Sequence, residues 1–307
     1  MIEGKRRIGV IKLGSLGDVV LALGPMQAIR AHHPGEHITA LTTRPYAALL
    51  RASGLFDEVW EDGRIRSLTG FIGMIGRMRR ARFARVYDLQ TSTRSSSYFW
   101  LLFPHLPEWS GIAFLASHPH GNPDRVAMHT AERQAEQLRM AGIAETPPPD
   151  LGFAQADLAR FRLPDRYALL VPGGSAHRPA KRWPAACYGA LARSLIERGI
   201  TPVVLGTGAE KDLAVEILRQ APGAVDLVDK TDFLEIATLG RGAAFAVGND
   251  TGPMHLLAAA GAPSLVLFSH ESDPARCAPR GKRIETLRVP DLVDLPLEAV
   301  LTGIDRL

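Results

Sequence analysis

Four short stretches of the chain concentrate the residue types that handle anions, sugar hydroxyls and protons. In Lys12-Leu13-Gly14-Ser15-Leu16-Gly17-Asp18, an apolar run exits through Gly14, Ser15 and Gly17 into a helical pattern. Such a turn offers free backbone N–H groups and a helix dipole to an anion. Asp18 reads either as a carboxylate that stabilises the helix start or as a general base. In Pro172-Gly173-Gly174-Ser175-Ala176-His177-Arg178-Pro179-Ala180-Lys181-Arg182-Trp183-Pro184, the glycines let backbone approach a ligand, and Arg178, Lys181 and Arg182 follow as cations before Pro184 opens a helix. That pattern suits a diphosphate; its bland alternative is an exposed basic loop with Trp183 as a packing anchor. In Leu205-Gly206-Thr207-Gly208-Ala209-Glu210, Glu210 can accept from sugar hydroxyls or simply cap its helix. In Gly248-Asn249-Asp250-Thr251-Gly252-Pro253-Met254-His255, Asp250 and Thr251 stand where side chains cap free N–H groups, Gly252 admits a ligand, and Pro253 is preorganised for a first turn. His255, in that first turn, points at a phosphate or lies against the sheet.

The elements that must position these stretches alternate between short β-branched runs and longer helical patterns. Strands are expected over 8–12, 38–42 and 85–89, with helices over 19–30, 46–52, 95–103 and 128–141. After Glu145-Thr146-Pro147-Pro148-Pro149-Asp150, a stiff stretch that cannot be helix, the alternation restarts. Strands are expected over 167–171, 202–205, 244–247 and 264–268, with helices over 185–198, 210–219, 233–241 and 254–260. The expectation is an α/β protein of two Rossmann-like, doubly wound domains, 1–147 and 148–307, with a ligand cleft between them at the strand ends. The last segment, 297–307, is expected to be a helix that packs back on the first domain.

Of the 307 residues, 46% are hydrophobic and 22% charged, as in ordinary globular protein, and no apolar run is long enough for a membrane span. The first apolar run is too short for a signal core, so a cytoplasmic location is expected. Cys187 and Cys277 have no metal-like spacing, and His118, His120 and His129 sit in a loop-like stretch without a ligand pattern, so no metal site is expected. The net charge is +4, and Arg64, Arg66, Arg77, Arg79, Arg80, Arg82 and Arg85 form a local basic stretch without acidic residues. It reads as a solvated helix face or as a contact for an anion or membrane surface. Base-stacking aromatics are sparse there, which argues against nucleic acid. The first turn departs from Gly-x-Gly-x-x-Gly and Thr42-Thr43-Arg44 offers no ribose-binding acid, which argues against a dinucleotide.

Taken in order, Lys12 to Asp18, Pro172-Gly173-Gly174-Ser175 with Lys181-Arg182-Trp183-Pro184, and Gly248 to His255 resemble glycosyltransferase family 9, the lipopolysaccharide heptosyltransferases. The resemblance runs over nearly the whole chain. It implies a GT-B fold, with an acceptor-binding first half that holds the Gly14, Ser15 and Gly17 turn and a second half that binds an ADP-sugar. It also implies that Asp18 is the general base on the acceptor hydroxyl and that Lys181 neutralises the donor phosphates, with no metal or other cofactor. Donor binding would fall to Gly173, Gly174, Ser175, Lys181, Arg182, Gly206, Thr207, Glu210, Lys230, Thr231, Asp250, Thr251, Gly252, Pro253, Met254 and His255. Within that set Lys230-Thr231 lies near the adenine, and Asp250, Thr251, Gly252 and His255 seat the pyrophosphate.

The expected activity is therefore inverting, metal-independent transfer of a heptose-like sugar from ADP to an anionic, lipid-linked saccharide of the lipopolysaccharide-core type, with peripheral contact at the inner membrane. In-line attack needs a base for the nucleophile and stabilisation of the leaving diphosphate, which these residues can supply. Two alternatives stay open: a nucleotide-sugar epimerase of GT-B fold, and a catalytically silent nucleotide-sugar-binding protein.

Overall fold

The computed structural model describes residues 5–61, 68–174 and 177–307, and the chain divides into two compact units, Met1–Pro149 and Asp150–Leu307. In the first, β1 (Arg7–Ile11), β2 (His37–Thr42), β3 (Glu58–Glu61), β4 (Arg85–Asp88), β5 (Glu108–Gly111) and β6 (His118–Pro119) form a parallel sheet in the order β3-β2-β1-β4-β5-β6. Its helices are α1 (Leu16–Leu21), α2 (Leu23–His32), α3 (Arg44–Ala52), α4 (Leu68–Ala81), α5 (Thr93–Leu101) and α6 (Thr130–Met140).

The second unit repeats the plan. Strands β7 (Tyr167–Val171), β8 (Thr201–Val204), β9 (Val225–Asp226), β10 (Phe245–Asn249), β11 (Ser264–Phe268) and β12 (Ile284–Arg288) lie in the order β12-β11-β10-β7-β8-β9, again parallel. Helices α7 (Ala185–Glu197), α8 (Lys211–Gln220), α9 (Phe233–Gly242), α10 (Gly252–Ala259), α11 (Pro274–Cys277) and α12 (Leu297–Ile304) complete it.

Parallel sheets covered on both faces are built from continuous apolar runs, and Tyr167–Val171 and Ser264–Phe268 are buried along their whole length. The edge strands β3 and β12 carry exposed charges instead. The helix expected over 19–30 is divided at Ala22 into α1 and α2. Pro25 has no N–H to donate to Leu21, so the ladder is interrupted there and α2 starts afresh. Gly24 in that new first turn lies so close to the linker that a Cβ would meet the Pro147 carbonyl. The last helix, α12, is packed into the core of its own unit. Val300 and Ile304 of α12 join the core that contains Leu265, Leu267 and Leu195, and α12 touches α7, β11 and β12.

This strand order places the sites. In each sheet the chain runs off to opposite sides between two central strands, and the carboxyl ends of those strands open a crevice. In the first sheet Ile11 is in register with Asp88, so the Lys12–Asp18 turn emerges beside the loop that follows β4. In the second, Gly248 is in register with Val171, so Pro172–Gly174 and Asn249–Gly252 emerge together.

Candidate functional site

In the second unit the crevice is a cleft of about 370 Å³. The exits of β7, β8 and β10 bring Gly173, Gly174, Gly206, Thr207, Asp250, Thr251, Gly252 and Pro253 to its wall, joined by Lys181, Glu210 and Thr231. Leu205, Phe233 and Ile236 add an apolar side. The glycines are there for space. A Cβ on Gly206 would lie 2.9 Å from Cβ of Glu210, and one on Gly173 would lie 3.1 Å from the Glu210 carboxyl carbon.

The charged groups in the cleft are all committed. Lys181 Nζ donates to Asp250 Oδ2 at 2.6 Å, and the two side chains are only 11% and 9% exposed. Glu210 Oε2 accepts from Thr207 N at 2.8 Å and from Thr207 Oγ1 at 2.6 Å. The capping role weighed for Glu210 is thus present, on a side chain that also lines the cleft. Thr251 is the N-cap residue of α10, yet its side chain caps no N–H. Its Oγ1 is buried without a hydrogen-bond partner among the described residues, which leaves a donor and an acceptor at the helix N-terminus for a ligand.

The frame behind the cleft is a polar network that the sequence reading missed. Asn249, fully buried at the end of β10, donates through Nδ2 to the carbonyls of Pro172 and Gly173 at 2.9 and 3.0 Å. Its Oδ1 accepts from Trp183 N and from Tyr188 OH, both at 3.1 Å. Buried polar groups survive only when bonded, so an amide closing the buried strand Phe-Ala-Val-Gly-Asn was the available signal. Burial pushes the Tyr188 phenol well above its usual range, which keeps it a neutral donor.

The other donor-side residues are placed differently. Arg182 holds the Gly174 carbonyl at 2.5 Å. Lys230 turns to Asp226, with Nζ 2.8 Å from its carboxylate, and stands on an exposed neighbouring groove with Lys211 and Asp229. Met254 is fully buried beneath Gly248, and His255 is buried. Ser175 lies outside the described residues.

In the first unit, Gly14 has φ +128°, a conformation open to glycine, and a Cβ there would strike the Tyr46 ring at 2.8 Å. Ser15 caps α1, and Asp18 Oδ2 accepts from Ser15 N at 3.1 Å and Ser15 Oγ at 3.2 Å, forming a capping box. The Lys12 ammonium lies within electrostatic reach of the same carboxylate. Gly17 is buried inside α1. Below the turn, Lys12 is buried and donates to the Leu89 carbonyl at 3.2 Å, and burial pushes its ammonium below the usual lysine range. Asp88 is buried beside it and accepts from Gln90 N and Thr91 N at 3.1 and 3.0 Å. Its burial raises the carboxyl to about 6 despite those donors.

The arginines of the basic stretch differ in their partners. Arg64 and Arg66 lie outside the described residues. Arg77 stacks on Trp60 with its guanidinium 4.0 Å from the ring, Arg79 holds the carbonyls of Leu101 and Phe103, and Arg85 pairs with Glu108 at 2.6 Å. Arg77, Arg79, Arg80 and Arg82 are all exposed, and Arg85 is half-buried. Of the histidines, His120 pairs with Glu136 at 3.1 Å and His129 accepts from Ala131 N, each engaged in local structure.

Comparison with known proteins matches residues 115–296 to the model of "Glycosyltransferase family 9 (heptosyltransferase)". Lipooligosaccharide heptosyltransferase 2 of Haemophilus influenzae is 33% identical over 104 residues, which is 32% of this chain and 30% of that protein. Lipopolysaccharide heptosyltransferase 2 of Escherichia coli K12 is 30% identical over 121 residues, 38% and 34% of the two chains. These matches span about a third of the relatives' length. Among solved structures, a family 9 glycosyl transferase from Veillonella parvula superposes with a TM-score of 0.84 at 20% identity, covering 98% of this chain and 96% of its own. The E. coli ADP-heptose lps heptosyltransferase II follows with a TM-score of 0.78 at 22% identity and 97% coverage of both chains. At these identities the likeness is one of fold, a GT-B-like α/β arrangement of two parallel sheets.

Proposed function

The chain belongs to glycosyltransferase family 9, and from that premise we propose that it moves a heptose-like sugar from an ADP-sugar to a lipopolysaccharide-core-type saccharide, inverting the anomeric carbon without a metal ion. The observation that carries this reading is the second unit's cleft at its β7–β10 crevice. There a lysine, two carboxylates, glycine-spaced backbone and the uncapped N-terminus of α10 converge.

The residues divide the work. Lys181 and the first turn of α10 meet the charge that develops on the leaving diphosphate, which is the demand of the transition state. The apolar side of Leu205, Phe233 and Ile236 suits the flat face of a nucleobase. Asp18, held through Oδ2 by Ser15, keeps its second oxygen for the proton of an acceptor hydroxyl. The acceptor is an anionic, lipid-linked saccharide, and the protein works at the inner face of the membrane that carries it. Arg77, Arg79, Arg80 and Arg82 are the exposed cations that the described part of the basic stretch offers that surface.

The deciding experiment follows ADP release from ADP-heptose with and without a deacylated core-type acceptor, in EDTA and in magnesium. Acceptor-dependent release that is unchanged by EDTA supports the proposal. Release or sugar rearrangement without acceptor would assign an epimerase instead, and preference for UDP-sugars would remove heptose from the reading.

A further inference from the structure

The charges of the donor cleft do not suit a diphosphate as they stand. Among the described lining residues Lys181 is the one cation, and it shares the pocket with two carboxylates, Asp250 and Glu210. Glu210 is committed to Thr207. Asp250 lies 2.6 Å from the ammonium, and both partners are nearly buried. A nucleoside diphosphate brings further negative charge into the same pocket. A buried ammonium has one compact charge to give, and an anion left buried without a partner is costly. Lys181 therefore cannot serve Asp250 and a diphosphate equally.

We propose that Asp250 is an exchangeable counter-ion: Lys181 leaves it for the donor's diphosphate, and the released Asp250 carboxylate accepts a hydrogen bond from a hydroxyl of the bound sugar. The inference rests on the nucleotide-sugar reading given above and adds to it a means of telling donor from product. An intact ADP-sugar supplies both partners, anion for Lys181 and hydroxyl for Asp250. Bare ADP supplies only the first. Once the sugar has been transferred, Asp250 has lost its hydroxyl and competes for Lys181 again, which drives the product out. Thr251 Oγ1, buried and unpartnered among the described residues, and the backbone N–H of Gly252 stand next to Asp250 to complete the diphosphate's contacts.

The test is calorimetric titration of the full chain with ADP and with ADP-heptose, for wild type, Asp250→Asn, Lys181→Met and the double variant, with thermal melting of each. Asparagine keeps the shape of Asp250 and removes its charge. The expected result is that Asp250→Asn binds ADP about 5-fold or more tighter while gaining less for ADP-heptose, so that the preference for donor over product narrows. In the Lys181→Met background most of that gain should vanish, because the competition is for the ammonium. Weaker or unchanged ADP binding by a folded Asp250→Asn variant overturns the exchange and leaves the donor site standing. An equal gain with and without Lys181 also overturns it, since simple repulsion would then suffice. If folded wild type and Asp250→Asn bind neither ligand, the donor-site reading itself fails and the exchange falls with it.

Discussion

The side-chain amide of Asn249 donates to the carbonyl of Gly173 at 3.0 Å, tying the last residue of β10 to the turn that leaves β7. With its bonds to Pro172, Trp183 and Tyr188, it fixes the spacing of the two loops that hold Asp250 and Lys181. Asn249→Ala strands several buried groups at once and should cost roughly 2–4 kcal/mol. Urea unfolding measures that loss. ADP affinity measured below the transition should fall too, because the loops lose their tie. A variant with wild-type stability and affinity would show that the backbone alone sets the cleft.

The crevice was legible in the sequence because apolar runs end in glycine-bearing turns. Tyr167–Val171 and Ser264–Phe268 are strands over the residues expected, and α7 and α9 end within one residue of theirs. The edge strands β3, β6, β9 and β12, and β5 beside β6, were not legible: each is short or partly polar, with little apolar signal to distinguish it from loop. The partners of the basic stretch were not legible for a different reason. Composition counts charges, whereas Arg77, Arg79 and Arg85 are spent on a ring, two carbonyls and a carboxylate. Lys230 shows the same limit, since its i,i+4 pairing with Asp226 decides where it points. The Asn249 network depends on residues from three separated segments, which no local pattern brings together.

Gly248 is a packing requirement. A Cβ there would lie 2.6 Å from Met254 Sδ and 2.7 Å from Val171 Cβ. Gly248→Ala should destabilise by about 1–3 kcal/mol through overpacking between β10, β7 and α10. Adding Met254→Ala removes one of the two clashes and should recover only part of the loss, because Val171 remains. Full recovery in the double variant would place all the strain on Met254.

Asp18 is proposed to act in turnover and not in donor binding. Asp18→Asn keeps a side chain that can reach Ser15 but cannot take a proton. Turnover should fall about 10²- to 10⁴-fold, with ADP affinity within about twofold of wild type and a stability change below about 1 kcal/mol. Rapid-quench turnover and calorimetry separate these terms. A variant that keeps substantial turnover would reduce Asp18 to a helix cap.

Asp88 gives a pH signature. Its folded carboxyl titrates at about 6, above the ordinary 3.8, because burial disfavours the anion. Between those values the folded state holds a proton that the unfolded state releases. Stability from this group is therefore present at low pH, falls as pH rises through that window and stays low above it. Asp88→Asn should lack this slope and gain up to about 3 kcal/mol over wild type at pH 8 relative to its difference at low pH. Urea midpoints across the range measure it. Parallel profiles for the two proteins would mean that the Asp88 carboxylate is fully compensated in the fold.

The Lys181–Asp250 pair should also separate stability from binding. Lys181→Met leaves Asp250 as a buried carboxylate without its ammonium, and breaking one side of a buried pair costs about 3–5 kcal/mol. Replacing both residues, as Lys181→Met with Asp250→Asn, removes the uncompensated charge and should restore most of the melting temperature. It should not restore ADP binding, because no cation is left to meet the diphosphate. Recovery of stability together with affinity would mean that the N-terminus of α10 and the glycine turns suffice for the anion. Failure to recover stability would mean that Lys181 contributes through its packed stem as well as its charge.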